Sequence, residues 1–252
     1  MPCDPRQGTW PRALVAGLRG TVWPMAGTAH RRFVPALLLL TVVTGFVDAV
    51  SYLALGHVFV ANMTGNVVFL GFAWAGAPGL SAQASLVSLG AFLVGALLGG
   101  RVHARSAVPV RRGRLFATAV TVQAVLMAAS TALALPDAPP GTAARYALIA
   151  VLGVCMGLQN AVVRRLAVPD LTTTVLTLTL AGIAADPAEK RNPARRLASA
   201  VCMFGGALAG AVLVLRVHLA WALGISAVLL AGLAAVSLHV LRAEGRRLGG
   251  SH

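Results

Sequence analysis

Residues 34–55 form a run of 22 in which Asp48 is the one charged side chain. As an α-helix rising roughly 1.5 Å per residue, such a run reaches about 33 Å, enough to cross a hydrocarbon core of about 30 Å. Seven more apolar blocks follow at 58–77, 83–100, 115–135, 146–163, 171–185, 197–215 and 219–241. A chain of 252 residues that is 58% hydrophobic and 11% charged, with its apolar residues in blocks rather than short amphipathic periods, is an all-α, polytopic helical membrane protein. The net charge of +14 would suggest nucleic acid for a soluble protein, but the arginines flank the blocks as membrane-loop charge does, so no nucleic-acid partner is expected. Cys3, Cys155 and Cys202 are far apart, with no CxxC and no His at ligand spacing, so neither disulfide, metal nor other cofactor is inferred.

Charge sets the topology. If all eight blocks crossed from a cytoplasmic N-terminus, the loop "RVHARSAVPVRRGR" (101–114) would lie outside, against the bias of cytoplasmic loops toward arginine and lysine. If 58–77 and 171–185 instead dip in and return, six full spans remain. The 101–114 loop then falls inside with Arg164, Arg165, Lys190, Arg191, Arg195, Arg196, Arg242, Arg246 and Arg247, leaving Arg145 and Arg216 outside. Six spans and two broken or re-entrant segments are therefore expected, with both termini cytoplasmic. Residues 1–30 read as a mobile basic cytoplasmic tail, 31–242 as one transmembrane domain, and 243–252 as a second tail. The start of the first span resembles a signal peptide, but "VSYLAL" prolongs the run, so an uncleaved span is expected.

The two halves, about 34–135 and 146–241, resemble each other. "GFVDAV" (45–50) matches "GLQNAV" (157–162), "MTGNVV" (63–68) falls opposite "LTTTVL" (171–176), and "GAFLVGALLGGRVH" (90–103) matches "GGALAGAVLVLRVH" (205–218). Three spans per half would make the repeat inverted, as in many secondary transporters. Small residues four apart, at Ala91, Gly95 and Gly99, at Gly206 and Gly210, and at Ala227, Ala231 and Ala235, suit close helix packing.

Polar residues within these blocks are the candidate pathway. Asp48 is the lone acid well inside a full span, costly there unless paired, hydrated or protonated. Thr41, Thr44, Gly45, Ser51 and Tyr52 recur with it at three- and four-residue helical steps. This stripe serves either an ion or proton path or a structural pin between helices. In "ANMTGN", the side chains of Asn62, Thr64 and Asn66 with Gly65 suit a broken helix; in "VPDLTTT", Asp170, Thr172, Thr173 and Thr174 do the same. Such tips hold a solute, or they only satisfy their own freed backbone. Gln159 and Asn160 fall opposite Asp48 in the second half, an amide where the first half has an acid.

The stretch "GFVDAVSYLALGHVFVANMTGNVVFLG" (45–71) resembles the YoaK-like family of bacterial inner-membrane proteins of unknown function, through Gly45, Asp48, Ala49, Phe59, Asn62, Met63, Thr64, Gly65 and Asn66. The resemblance extends over about 33–242 and implies a bacterial plasma-membrane location; it names no substrate. From the residues, the leading expectation is a secondary transporter or exporter of a small solute, proton-coupled through Asp48, and not an enzyme. A membrane scaffold that contacts a partner helix is the alternative, and a lipid-modifying enzyme ranks lower because paired acids or metal ligands at one depth are missing. The bilayer and an unidentified small solute are the expected partners, and a homo-oligomer is compatible with the small-residue stripes.

Overall fold

Hydrocarbon offers no water to satisfy backbone N–H and C=O groups, so each crossing segment must bond to itself as a helix. A computed structural model describes residues 33–103, 109–136, 140–166 and 193–249 of the chain. Among them are seven helices: α1 Val34–Ala54, α2 Met63–Trp74, α3 Ala82–His103, α4 Pro109–Leu133, α5 Thr142–Leu166, α6 Pro193–Arg216 and α7 Leu219–Gly249. Six are long and apolar enough to cross a membrane. The exception, α2, has 12 residues, about 18 Å at the helical rise, and cannot cross. The block at 58–77 is therefore a re-entrant segment, as expected; its proposed twin at 171–185 lies outside the described residues.

The helices overrun the apolar blocks. Proline opens α4 and α6, at Pro109 and Pro193, where a missing N–H costs nothing because the first turn has no intrahelical acceptor. At the other end of the chain α7 continues through Arg242, Glu244 and Arg246 to Gly249, so most of the stretch expected as a tail from 243 is helical. Hydropathy reports the hydrocarbon depth alone, whereas helical bonding continues into the interface, where arginines keep their heads in water.

Contacts at the helix ends show how the spans alternate. At one face, Phe33 before α1 meets Phe116 of α4 edge-on at 5.4 Å, and Gly113 of α4 lies against Leu241 of α7. At the other, Gly56 after α1 lies beside Arg145 of α5, the Tyr146 hydroxyl is 3.3 Å from Oε1 of Gln83 at the start of α3, and Gly224 of α7 faces Thr131 of α4. The first face gathers Arg101, Arg114, Arg164, Arg165, Arg195 and Arg242, while Arg145 and Arg216 sit toward the second.

With lipid as apolar as leucine, close van der Waals fit must supply the attraction between helices. The largest interfaces join α3 to α5 and α1 to α6, with α4 packed on α7 and on α5. Glycine makes the first two: a Cβ on Gly45 would fall 2.5 Å from the Met203 carbonyl oxygen and 2.6 Å from the Ala207 nitrogen, and one on Gly206 would collide with Val42. The other interface repeats these contacts. Gly157 lies on Phe92 and Ala96, Gly95 on Val154, and Gly99 on Leu158 and Ala161, just as Gly210 lies on Phe46 and Ala49. Both pairs run parallel, since the contacts advance together along each.

The spacing of equivalent contacts is constant, 112 residues from α1 to α5 (Gly45 to Gly157, Val42 to Val154) and 111 from α3 to α6 (Gly95 to Gly206, Gly99 to Gly210). This differs by one helical turn from the sequence match of 90–103 with 205–218, which set Gly95 against Gly210. Small residues recurring every four positions look alike after a shift of four, so the pattern alone could not fix the register. The third small-residue stripe does not close a helix pair within the chain, because Ala231 and Ala235 are exposed.

Neighbouring glycines give a clean test. Gly206→Ala should destabilise the folded protein by about 1–3 kcal/mol through overpacking, read as a lower thermal midpoint in detergent, while Gly205→Ala, with nothing within 4 Å of an added Cβ, should leave the midpoint unchanged or slightly raised.

Candidate functional site: the re-entrant elbow

After α1 the chain reverses. Gly56 (φ 97°) and His57 (φ 56°) both take the left-handed conformation, easy for glycine and strained for histidine. The turn sends residues 58–62 back along α1, so that the Ala61 N–H donates to Oδ1 of Asp48 at 3.1 Å. Asp48 lies six residues before the end of α1, about 9 Å below it at the helical rise. There α2 begins, with Asn62 as its N-cap accepting from the Gly65 N–H at 3.4 Å. It returns toward the face it came from, and glycines in left-handed conformation at 76 and 79 carry the chain into α3.

An extended segment inside a bundle has no helical partners for its backbone, and two buried side chains supply them. Oδ1 of Asn66 accepts from the Phe59 N–H at 2.9 Å, its Nδ2 donates to the Phe59 carbonyl oxygen and, at 3.1 Å, to Oγ of Ser88, and the Ser88 hydroxyl donates to the same carbonyl at 2.6 Å. The Asn66 amide thus acts as a strand neighbour would. Gly65 has a different role from the unusual backbone conformation expected of it. It is helical, and a Cβ there would lie 2.8 Å from the Phe59 ring. Its value is clearance. Asn62 and Thr64 are exposed at the tip.

The stripe on α1 divides in two. Hydroxyls of Thr41 and Thr44 donate to the carbonyls of Leu37 and Leu40, and that of Ser51 to the Asp48 carbonyl at 3.2 Å, each folded back on its own helix. Gln159 reaches across from α5, its Nε2 donating to Thr44 Oγ1 at 2.8 Å, while its Oε1 is buried without a hydrogen-bond partner. An unpaired buried acceptor costs about 1–3 kcal/mol. Gly45 is not in this polar group; it faces α6. Tyr52 belongs to an aromatic cluster above the elbow, stacked on Phe59 at 5.1 Å with Phe69 beyond it and His57 edge-on.

Asn160 is turned away from Thr44 and lines a separate cavity of about 440 Å³ with Phe92, Ala96, Ala161, Arg164 and Arg165. Asp170, Thr172, Thr173 and Thr174 lie outside the described residues. Two contributors escaped the sequence reading. Ser88 looks like one more small residue in an apolar span, although Ser85 and Ser88 on one side of α3 are both buried. Gln123 of α4 is buried with its Oε1 unpaired, and its carbonyl is 3.9 Å from Sγ of Cys155. Among the described residues no three His, Cys, Asp or Glu side chains gather as metal ligands would.

Comparison with known proteins agrees with this architecture. The model of a family described as a protein of unknown function, DUF1275, matches residues 36–236, from α1 into α7. The chain is 33% identical over 166 residues to UPF0700 transmembrane protein YoaK of Bacillus subtilis (strain 168), covering 64% of this chain and 69% of that protein. No solved structure matches. Six spans and a transmembrane relative make this a multi-pass membrane protein in contact with the bilayer.

The elbow's dependence on Asn66 is measurable. Asn66→Leu strands the Phe59 N–H in the core and should cost about 1–3 kcal/mol, seen as a lowered thermal midpoint in detergent; Asn62→Ala, which removes an exposed cap, should cost about 1 kcal/mol or less.

Proposed function

The chain belongs to the DUF1275 family, whose function is unknown, and we propose that it is a secondary transporter or exporter of a small solute, proton-coupled through Asp48 and not an enzyme. One observation carries this reading: a half-helix starts partway along α1, at the depth of Asp48, and the backbone at its break is held by that buried side chain. The N-terminus of α2 carries unsatisfied N–H groups and partial positive charge, which suit an anionic or polar solute group. An ionised Asp48 makes a charge-assisted bond to the Ala61 N–H, and protonation weakens it. Proton arrival would thereby loosen the elbow, and the exposed Asn62 and Thr64 would meet the solute at its tip. Across the bundle, the unpaired Gln159 Oε1 offers an acceptor within the polar group that includes Thr44.

We further read the molecule as an inverted repeat. The duplicated glycine contacts support it, as does the near-equal length of the linking stretches, 27 residues between α1 and α3 (55–81) and 26 between α5 and α6 (167–192). The one-residue difference is the same as that between the spacings of 112 and 111. Arginine crowding at one face, by the positive-inside rule, makes that face cytoplasmic and both termini internal in a bacterial plasma membrane. The elbow then opens from the outside. A scaffold role is the second reading, favoured by the fact that Asn66 and Ser88 spend their hydrogen bonds on the elbow itself.

Asp48→Asn separates the two, because asparagine keeps an acceptor for Ala61 while losing the charge. In proteoliposomes screened with labelled amino acids, sugars and organic acids, transport predicts pH-driven flux in the native protein and loss of at least about tenfold in the variant, which should still insert. Full pH-dependent flux in the variant would remove Asp48 from the mechanism; absence of flux together with a stoichiometric co-purifying membrane partner would favour the scaffold. Orientation is checked independently with an impermeant maleimide on spheroplasts: Gly79→Cys should label directly, and Arg246→Cys only after permeabilisation.

A further inference from the structure

Although consecutive in sequence, α3 and α4 scarcely touch, because both lean on α5. Between the three helices runs a groove of about 190 Å³ whose walls include Gly95 and Leu98 of α3, Thr118 and Val122 of α4, and Val154 and Leu158 of α5. Leu98 and Val122 are 50% and 42% exposed, so the groove opens sideways toward lipid. The corresponding pair in the other half, α6 and α7, packs more closely.

Each wall ends in an arginine at the same face. Arg101 continues the Gly95 and Leu98 stripe of α3 by a further three residues, Arg114 lies one and two turns before Thr118 and Val122 on α4, and Arg165, which also lines the cavity beside Asn160, lies two turns after Leu158 on α5. All three are exposed. An aliphatic slot open to the bilayer calls for an acyl chain, and guanidinium groups above it call for a phosphate, which they bind through paired N–H donors. A zwitterionic head would bring its own cation into this cluster, at a cost.

We propose that this groove is a specific site for an anionic phospholipid, with one acyl chain between α3 and α4 and the head-group phosphate among Arg101, Arg114 and Arg165. The site is separate from the elbow and stands whether or not a solute moves there. Basic pockets between spans at the cytoplasmic face are a recognised arrangement for such head groups.

Native mass spectrometry and thermal-shift titration of the purified full chain test this, using dioleoyl-phosphatidylglycerol, dioleoyl-phosphatidylcholine with the same chains, and inorganic phosphate. Phosphatidylglycerol should bind about tenfold or more tightly than phosphatidylcholine, and Arg101→Gln with Arg114→Gln should reduce that preference to about twofold. Val122→Trp, and separately Leu98→Trp on the opposite wall, should weaken both lipids; both positions are exposed enough to accept the ring without unfolding. Equal binding of the two lipids, a preference that survives the arginine changes, retained lipid affinity in both tryptophan variants, or protection by inorganic phosphate equal to that by the lipid would each overturn the site.

Discussion

A peptide group in hydrocarbon must find a partner, and the structure is organised around the one described place where a helix cannot provide it. Between Leu55 and Asn62 the chain leaves helical bonding inside the bundle. Ordinarily the result would be several orphaned N–H and C=O groups, each costly enough to expel the segment. Asp48, Asn66 and Ser88 converge on Phe59 and Ala61 to prevent that. Three polar residues from three helices thereby become obligatory, and the elbow cannot shift without one of them changing partner.

Packing follows a different constraint. Lacking an apolar driving force distinct from lipid, the spans adhere where backbones approach, and glycine is the residue that permits it. Gly45, Gly206, Gly157 and Gly95 therefore hold the α1–α6 and α3–α5 pairs, whereas α1 meets α5 lightly, through the Gln159 amide and the Thr44 hydroxyl. The direct contact between the two pairs is thus light and polar, and the rest of their connection runs through the packed α4 and α7 and through the elbow.

Span number, the dipping segment and the buried stripe on α1 were legible because each follows from a one-dimensional signal: block length, arginine placement, or polar residues at helical steps. Partners distant in sequence were not. Nothing near Ser88 announces that it will meet Phe59, 29 residues away, and nothing in "GLQNAV" says that Gln159 rather than Asn160 turns toward α1. Gly65 showed a glycine's need without its reason, since an aromatic ring overhead and an unusual φ leave the same letter. The repeat register slipped by a turn because a four-residue period is blind to shifts of four.

If the proposed inverted repeat holds, the exchange of partners between halves has a consequence for ancestry. Neither half keeps its main interface to itself, for α1 finds its match in α6 and α5 finds its match in α3. A half-length precursor of this design would have been left with two sticky helix faces and could have buried them only against a second copy threaded through the bilayer the other way up. Fusion of two such genes would then have frozen into one polypeptide a pairing that once depended on equal traffic in both orientations.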